Sequence, residues 1–380
     1  MLHFRPDGTF KIMQIADTQE LPAVSPNTLE LIEKALDREQ PDLVIFTGDQ
    51  IQGGASGFRR DPALAEQTID QLAEPLHQRG IPFMVTYGNH DAQCGLSNTQ
   101  QYSFYAKYPT FICGRPRSRT DLGTTDVQLY SSDRSRPVFQ LYLFDSHGKD
   151  PDGEGYLPVT EEQLNWYRSE RERLRKKAGD YLPSLVFQHI PVQEIYQVLQ
   201  NVPRGTGGAV HAYGVQDGLY FVLPEALRTQ GGFLGEFPAV PDRNTGEFAA
   251  LTEAGEVLGI WCGHDHNNSF VGQYHGVDLG CTQGAGFHTY GPGRQRGVRI
   301  FLLHEEDLKH YESYTVTYNQ ISDRPVKAPL REFVYTHMPT SPRQVRATAV
   351  KAGLTTAGIV AGAGLLWSVY QISRWKRRKA

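Results

Sequence analysis

The sequence predicts an α/β (α+β) protein, on two observations. Over residues 1–90, apolar runs typical of strands alternate with amphipathic stretches typical of helices, in the order strand, helix, strand, helix, strand. Over residues 257–317, strand-like runs follow one another with no helical stretch between them. Parallel strands need long crossovers, whereas antiparallel strands can be joined by short turns. We therefore expect a parallel first half and a more antiparallel second half.

The first three predicted strands each run into polar residues. These strands and the residues that follow them are 10–16 with Asp17, 43–47 with Gly48-Asp49, and 82–87 with Gly88-Asn89-His90-Asp91. Between them, Ser25-Pro26 is typical of a helix start, with an N-cap and then proline at the first helical position, and residues 62–79 predict a second helix. Open α/β sheets place their sites at the carboxyl ends of strands, so these residues are candidates for one site.

Beyond residue 90, the predicted strands and helices no longer alternate. We expect strands over 138–144, 184–188, 257–261, 269–274, 298–303 and 311–317, and a charged helix over 161–177. Residues 203–256 are rich in Gly and Pro and predict long loops, which are usually functional when they occur inside a compact domain. Two of these strands again run into polar residues, His189 and Gly263-His264-Asp265-His266.

Seven residues of these strand-end segments are of types that bind divalent metals. They are Asp17, Gln19, Asp49, Asn89, His189, His264 and His266. In Asp17-x-Gln19 and His264-x-His266, the i, i+2 spacing puts both side chains on one side of extended backbone. One metal needs only three or four protein ligands, so seven predict two divalent metals that share a carboxylate such as Asp49. A metal pair of this kind serves phosphoester hydrolysis.

This ordered set of motifs resembles the calcineurin-like metallophosphoesterase superfamily, over residues 10–304. The resemblance implies a metallophosphoesterase-type four-layer sandwich, with two mixed β-sheets flanked by helices. It implies a first metal held by Asp17, Gln19, Asp49 and His266, and a second held by Asp49, Asn89, His189 and His264. A metal-bridging hydroxide would then attack phosphorus, with His90 as general acid and Asp91 fixing the tautomer of His90.

The chain departs from related patterns at two positions. The superfamily usually has His where this chain has Gln19, and an amide oxygen is a harder and weaker ligand than imidazole nitrogen. We therefore expect a weaker first site that favours Mn²⁺, with Mg²⁺, Fe²⁺ or Zn²⁺ as alternatives. Purple acid phosphatases of the same superfamily carry a metal-bound Tyr at the position of Gln52, so an Fe(III)–Tyr centre is not expected.

Four more residues are candidates for contact with the phosphate-ester substrate. They are His147, His288, Arg294 and Arg296. An arginine can bind a second phosphate or a carboxylate through two parallel hydrogen bonds, and the alternative for both arginines is a solvated turn. These residues do not separate a monoester from a diester substrate.

Charge is unevenly distributed along the chain. Residues 341–380 hold eight basic and no acidic residues, which leaves 30 basic against 42 acidic residues over 1–340. We do not expect so acidic a body to bind double-stranded nucleic acid. The alternatives to a phosphatase are a phosphodiesterase or nuclease for small or single-stranded substrates, and a catalytically weak binding or scaffold protein on the same fold.

The C-terminal residues predict a single-pass membrane anchor. Residues 352–373 carry no charge and are long enough to cross a hydrocarbon core of roughly 30 Å. Basic residues flank this span on both sides, and Gly358-x-x-x-Gly362 permits the close helix pairing of a homodimer. The alternative is a Gly/Ala-rich amphipathic or disordered tail.

These features predict a phosphoesterase domain over 1–320, a linker over 321–351, a transmembrane helix over 352–373 and a basic tail over 374–380. The N-terminus lacks the basic-then-apolar run of a secretory signal, so we expect a cytoplasmic catalytic domain. The flanking charges favour the opposite orientation, because five basic residues follow the span and three precede it. A tail anchor conflicts less with the other features.

Overall fold

The computed structural model describes residues 1–153 and 155–338. One compact unit spans Met1–Lys327, and a second unit begins at Ala328. The predicted transmembrane helix over 352–373 and the basic tail over 374–380 lie outside the described residues. Among the helices that are described, none is both long enough and apolar enough to cross a membrane.

The strands form two large sheets and a small one. In chain order they are β1 (Leu2–His3), β2 (Thr9–Ile15), β3 (Leu43–Thr47), β4 (Phe83–Thr86), β5 (Arg115–Ser118), β6 (Asp121–Tyr130), β7 (Pro137–Phe144), β8 (Ser184–Gln188), β9 (Gln200–Asn201), β10 (Val210–His211), β11 (Tyr220–Val222), β12 (Phe233–Leu234), β13 (Val257–Cys262), β14 (Asn268–Tyr274), β15 (Val277–Cys281), β16 (Gly297–His304) and β17 (Tyr311–Thr317).

The helices connect or cover these strands. They are α1 (Pro26–Glu39), α2 (Ser56–Arg60), α3 (Leu64–Gln78), α4 (Asn98–Ala106), α5 (Glu161–Ala178), α6 (Glu225–Thr229), α7 (Glu247–Thr252), α8 (Tyr318–Ile321) and α9 (Pro329–Thr336). The predicted linker over 321–351 therefore contains α9.

The five-stranded sheet has the order β17-β16-β2-β3-β4. Strands β2, β3 and β4 are parallel, and β16 runs antiparallel to both of its neighbours. Helices α1 and α3 make the crossovers, as the alternation over residues 1–90 predicts. The start of α1 also agrees with the prediction, because the Ser25 side chain accepts a hydrogen bond from the Asn27 amide and proline occupies the first turn.

The larger sheet has the order β1-β6-β7-β8-β13-β15-β14-β12, with β5 paired to β6. Strands β7, β8, β13 and β15 are parallel to their neighbours in that series, whereas β14 is antiparallel to β15. The expectation of a more antiparallel second half is therefore only partly correct. The connection from β8 to β13 contains the small sheet β10-β11-β9 and α7; β10, β11 and α7 lie inside the segment 203–256 that the composition predicts to be loops, and β9 lies just before it.

Three apolar clusters define four layers. One cluster lies between the two large sheets, with side chains such as Ile45 from one sheet and Leu143 and Trp261 from the other. A second packs α1 and α3 against the outer face of the five-stranded sheet, and a third packs α5 and α7 against the outer face of the larger one. The chain thus forms two mixed sheets flanked by helices.

Candidate metal centre

The predicted ligand segments meet at one edge of the sandwich. Asp17, Asp49 and Asn89 follow the parallel strands β2, β3 and β4, and His189 and His264 follow β8 and β13 of the other sheet. The two sheets pack face to face, so the carboxyl ends of strands from both deliver these side chains to a common place.

The second predicted ligand set converges on one point. The His189 Nε2 atom lies 3.1 Å from His264 Nδ1, 3.2 Å from Asn89 Oδ1 and 3.4 Å from Asp49 Oδ2. All four side chains are buried. The other ring nitrogen of His189, Nδ1, lies 3.0 Å from the Thr47 carbonyl oxygen and donates to it, which leaves Nε2 as the atom that faces the group.

The first predicted set is built around Asp17. Its Oδ2 accepts a hydrogen bond from the His264 amide, and its buried Oδ1 has no hydrogen-bond partner among the described residues. That Oδ1 lies 3.4 Å from His266 Nε2. The His266 Nδ1 atom donates to the Tyr290 carbonyl oxygen at 2.8 Å, so Nε2 is again the atom that faces the carboxylate.

Gln19, a predicted ligand of the first set, lies beside Asp49, but its amide oxygen faces Thr289 instead. The amide nitrogen donates to Asp49 Oδ2 at 3.1 Å, while the amide oxygen accepts from the Thr289 hydroxyl. The oxygen would reach a cation beside Asp49 only if the amide turned over, and the Thr289 hydroxyl can accept from nitrogen in that orientation. Ligation by Gln19 therefore stays a prediction.

The backbone of this centre is strained at several predicted ligands. The φ angles are positive at Asp17 (51°), Gln19 (39°), Asp49 (51°) and His264 (71°). Each such residue costs on the order of 1–3 kcal/mol, and strain of this kind clusters at functional sites.

The glycines of the Gly-Asp and Gly-Asn motifs allow the close approach of the ligand loops. A Cβ atom on Gly88 would lie 2.2 Å from Asp49 Oδ1, and one on Gly48 would lie 2.7 Å from His189 Nδ1. Any larger residue at either position would push these side chains apart.

The electrostatics of the centre favour a bound cation. Burial lowers the pKa of His189, but the carboxylates of Asp49 and Asp17 outweigh that effect and raise it to about 10. Burial and the neighbouring His189 lower the pKa of His264, which keeps its ring neutral and able to ligate. A cation would replace the proton on His189 as the counter-charge of the two carboxylates.

The residues present fit divalent metal ions. One ligand atom from each of Asp49, His189 and His264 lies within 4.8 Å of the others. The orphaned Asp17 Oδ1 atom is the kind of buried acceptor that a cation satisfies. The mixed oxygen and imidazole donors suit Mn²⁺, Fe²⁺ or Zn²⁺, and do not single out one of them.

His90 lies beside this group and reaches solvent. Its side chain is 33% exposed, and its Nε2 atom is 4.0 Å from Asp49 Oδ2. Its Nδ1 atom is 3.2 Å from Gln93 Oε1, and the Gln93 amide nitrogen donates to the Asn89 carbonyl oxygen. Because Gln93 Oε1 can only accept, it fixes the proton on Nδ1 of His90 and leaves Nε2 facing the centre.

Asp91 does not have the contact with His90 that the sequence predicts. The Asp91 carboxylate does not touch the His90 ring but accepts hydrogen bonds from the backbone amides of Asp49, Gln50, Ile51 and Gly88, at 2.8–3.2 Å. Burial and the nearby Asp49 raise the pKa of Asp91, and these amides oppose the rise. Asp91 therefore joins the Gly-Asp and Gly-Asn loops, and Gln93 is the residue that orients His90.

The segment after β15 supports the first ligand set. The Tyr290 ring stacks on His266 with centroids 4.2 Å apart, and its hydroxyl donates to Glu236 Oε2. The Arg296 guanidinium is buried and donates to the carbonyl oxygens of Gly286, Thr289 and Gly293. These contacts place Arg296 as a support of the segment that carries Thr289 and Tyr290.

The other candidate substrate residues have different surroundings. His288 is buried with its Nδ1 atom 2.6 Å from Glu20 Oε2, and Arg294 donates to the carbonyl oxygens of Ser322 and Arg324. His147 lies in the loop after β7, next to Gly148, which approaches Asn89, and its Nε2 atom lies 3.1 Å from Gln163 Oε1. Contact of any of these residues with substrate stays a prediction.

Comparison with protein families shows to which family a chain with these predicted metal ligands belongs. The family model described as calcineurin-like phosphoesterase matches residues 10–268, which is more than half of the chain and includes every predicted metal ligand. The chain belongs to the calcineurin-like phosphoesterase family.

Curated relatives of this family member differ in what their names say about activity. "Probable inactive purple acid phosphatase 14" of Arabidopsis thaliana is 28% identical, over 79% of this chain and 76% of that protein. "Phosphatase DCR2" of Saccharomyces cerevisiae is 26% identical, over 70% of this chain and 45% of that protein. Activity in this phosphoesterase chain is therefore a matter for experiment.

The chain is also similar to solved structures, among them that of a dimetal phosphatase from Danio rerio. Its sequence is 15% identical, the alignment covers 81% of this chain and 99% of that one, and the TM-score is 0.48. The purple acid phosphatase PPD1 from yellow lupin aligns over 82% of this chain and 55% of its own, with 13% identity and a TM-score of 0.44.

Proposed function

We propose that this chain is an active metal-dependent phosphoesterase with His90 as its general acid. The observation that carries the proposal is the convergence of Asp49, His189 and His264 beside the orphaned Asp17 oxygen, with His90 at the solvent side of the group. Two divalent cations bound there would supply an activated water and neutralise charge on the phosphoryl oxygens.

The protein's own residues supply binding and proton transfer. With Nδ1 hydrogen-bonded to Gln93, a protonated His90 presents its Nε2–H towards the centre. From there it can donate to the leaving-group oxygen as the ester bond breaks, which is the role of a general acid. The amide contacts of Asp91 keep Asp49 and the Gly88 loop in register while this happens.

Two ester substrates and several metals test this proposal. Turnover of p-nitrophenyl phosphate would be compared with that of the bis-ester, in Mn²⁺, Mg²⁺, Zn²⁺ and without metal. We expect turnover that depends on metal and is highest with Mn²⁺, because oxygen donors outnumber nitrogen donors in the first set. The ratio of the two esters decides between a phosphatase and a phosphodiesterase. Absence of turnover of either ester in every metal would contradict the proposal.

A catalytically weak binding protein is the second candidate, and the Gln19 orientation favours it. An amide nitrogen that faces Asp49 cannot ligate a cation, so the first site could fail to fill. Metal content measured by mass spectrometry separates the two candidates. Two metals per chain with turnover support the enzyme, whereas one metal without turnover supports the weak member of the fold.

We also propose that residues 352–373 anchor the protein in a membrane, with the catalytic domain in the cytoplasm. The uncharged span between two basic flanks supports the anchor, whereas the count of flanking charges does not support the orientation, which the protease test below decides. We expect the full chain to stay in the membrane pellet during alkaline carbonate extraction, and Leu366→Lys combined with Ile359→Lys to release it. Protease protection of the catalytic domain in intact cells would contradict the orientation.

A further inference from the structure

The loop after β7 lies directly over the second ligand set. This loop, called here the Asp145 loop, comprises residues 145–153 and 155–157. A Cβ atom on Gly148 would lie 3.8 Å from the Asn89 Cα atom, and the Tyr156 ring packs edge to face on the His264 ring with centroids 4.6 Å apart. Two positions on the loop therefore touch two predicted ligands of the same metal.

The Asp145 loop is held in place from both sides. Its two arms are paired by the Lys149–Tyr156 bridge and by hydrogen bonds from Asp150 N to Gly155 O and from Leu157 N to Gly148 O. From outside, Arg243 donates to the buried carboxylate of Asp150 at 3.0 Å. Tyr156 is thus fixed by backbone pairing within one or two residues of its own position.

The Tyr156 hydroxyl differs from those of Tyr290 and Tyr196, which donate to protein acceptors. The Tyr290 hydroxyl donates to Glu236 and the Tyr196 hydroxyl donates to Pro238 O. No described residue forms a hydrogen bond with the Tyr156 hydroxyl, and the residue is half-buried. Its surroundings include the carboxylates of Asp49 and Asp265, which contribute to raising its pKa after the larger effect of burial. An uncommitted donor thus faces an acidic site.

We infer that Tyr156 is a substrate-binding residue whose hydroxyl donates a hydrogen bond to a phosphoryl oxygen of the ester held beside His264. This inference rests on the proposed function, because it needs a phosphoryl group at the second ligand set. A phosphoryl oxygen carries the negative charge that an uncommitted hydroxyl donor recognises, and it would take the position that no protein acceptor fills. The alternative role for Tyr156 is to hold the His264 ring by packing alone.

Tyr156→Phe separates these two roles, because it removes the hydroxyl and keeps the ring on His264. Binding of inorganic phosphate to the Mn²⁺-loaded full chain would be measured by calorimetry, with metal content determined in parallel. We expect the variant to keep its metal and to bind phosphate about 10- to 100-fold more weakly, which is the range for a lost hydrogen bond to a charged group. The value of kcat/KM should fall by a similar factor.

Tyr274→Phe is the matched control. Tyr274 is a half-buried tyrosine at the end of β14, packed against Phe248, and it contacts none of the predicted ligands. Its variant should match the wild type in metal content, phosphate affinity and turnover.

The outcomes distinguish the inference from the function on which it rests. Equal phosphate affinity in wild type and Tyr156→Phe, or loss of metal in the variant, overturns the role of Tyr156. A wild type that binds phosphate but hydrolyses no ester overturns the proposed function alone, and the affinity comparison still decides for Tyr156. A metal-loaded wild type that binds no phosphate overturns both.

Discussion

The two predicted ligand sets of this member of the calcineurin-like phosphoesterase family are built differently. In the second set, atoms of Asp49, Asn89 and His264 all lie within 3.4 Å of His189 Nε2. In the first set, His266 faces Asp17, but the Gln19 oxygen is held by the Thr289 hydroxyl. The ligands of the second set therefore contact one another directly, whereas in the first set the oxygen of one predicted ligand contacts a residue outside the set.

This difference shows how much one ligand depends on the residues behind it. Thr289 and Tyr290, which contact Gln19 and His266, lie on a segment whose carbonyl oxygens are held by the buried Arg296. We expect a substitution in that segment to lower the metal affinity of the first site and not that of the second. We expect two metal affinities in this protein, with the tighter one at the second set.

Asp49→Asn should have the largest effect, because it removes the charge that both sets share. We expect loss of both metals and of all metal-dependent turnover, a larger effect than the roughly 10- to 100-fold cost of losing an outer partner of a ligand. Metal content by mass spectrometry checks this. Asp126→Asn is the control, since Asp126 is a buried carboxylate that accepts from Gln140. Retention of both metals in Asp49→Asn would show that the two sets do not depend on a shared carboxylate at this position.

His90→Ala should come next, with turnover lost and both metals kept. Loss of a general acid typically costs about 10²–10⁴-fold, and the cost should be greatest for alkyl phosphates, whose leaving groups need a proton. Steady-state kinetics with alkyl and p-nitrophenyl esters measures the difference. His310→Ala, on the exposed turn before β17, is the control. Unchanged turnover of the alkyl ester would remove His90 from the mechanism.

Glu236→Gln should weaken the first site only. Glu236 accepts hydrogen bonds from the Asn267 amide and the Tyr290 hydroxyl. The amide nitrogen of a glutamine cannot accept either bond, so we expect the substitution to loosen Tyr290, which stacks on His266. We expect about 10- to 100-fold weaker binding of one metal by titration calorimetry, with the other unchanged. Glu256→Gln, whose carboxylate accepts from Tyr167, is the matched control. Equal weakening of both metals would show that the sets are not independent.

Gln19→His should have the smallest effect and the opposite sign. An imidazole nitrogen is a stronger ligand than an amide oxygen for Zn²⁺ and similar ions. The metal affinity of the first site should therefore rise towards that of the second site. We expect a gain of about 10-fold, comparable to the smaller effects of ligand partners on metal affinity. Metal titration of the apo-protein measures it. An unchanged weaker affinity would mean that position 19 lies outside the metal shell.

Much of the fold follows from local pattern. The predicted strand over 43–47, the strand over 184–188 and the strand over 311–317 agree with β3, β8 and β17 to the residue. Each is a short apolar or alternating run between turn residues, which is a local signal. The pattern does not predict β6 and β15, because Gly, Thr and Asp interrupt their apolar residues, and it does not predict β5, because Arg115–Ser118 has no apolar run.

Local sequence also determined which residue types meet at the site. Parallel strands deliver their carboxyl ends to one edge, so Asp17, Asp49, Asn89, His189 and His264 could be assigned to one group before the structure was known. Gln93 could have been found as well, because its i+3 spacing within the Asp91–Cys94 turn brings it over His90.

Only the tertiary structure decided what each side chain does there. Asp17 accepts from the amide of His264, which is 247 residues away, and Gln19 is held by Thr289, which is 270 residues away. Hydrogen bonds of that separation leave no trace in spacing or periodicity, so these two contacts, and the packing of Tyr156 on His264, could not be predicted from the sequence. The sequence by itself determined the donor atoms, through residue type and strand ends. The packing of the two sheets decided which of those atoms face one another.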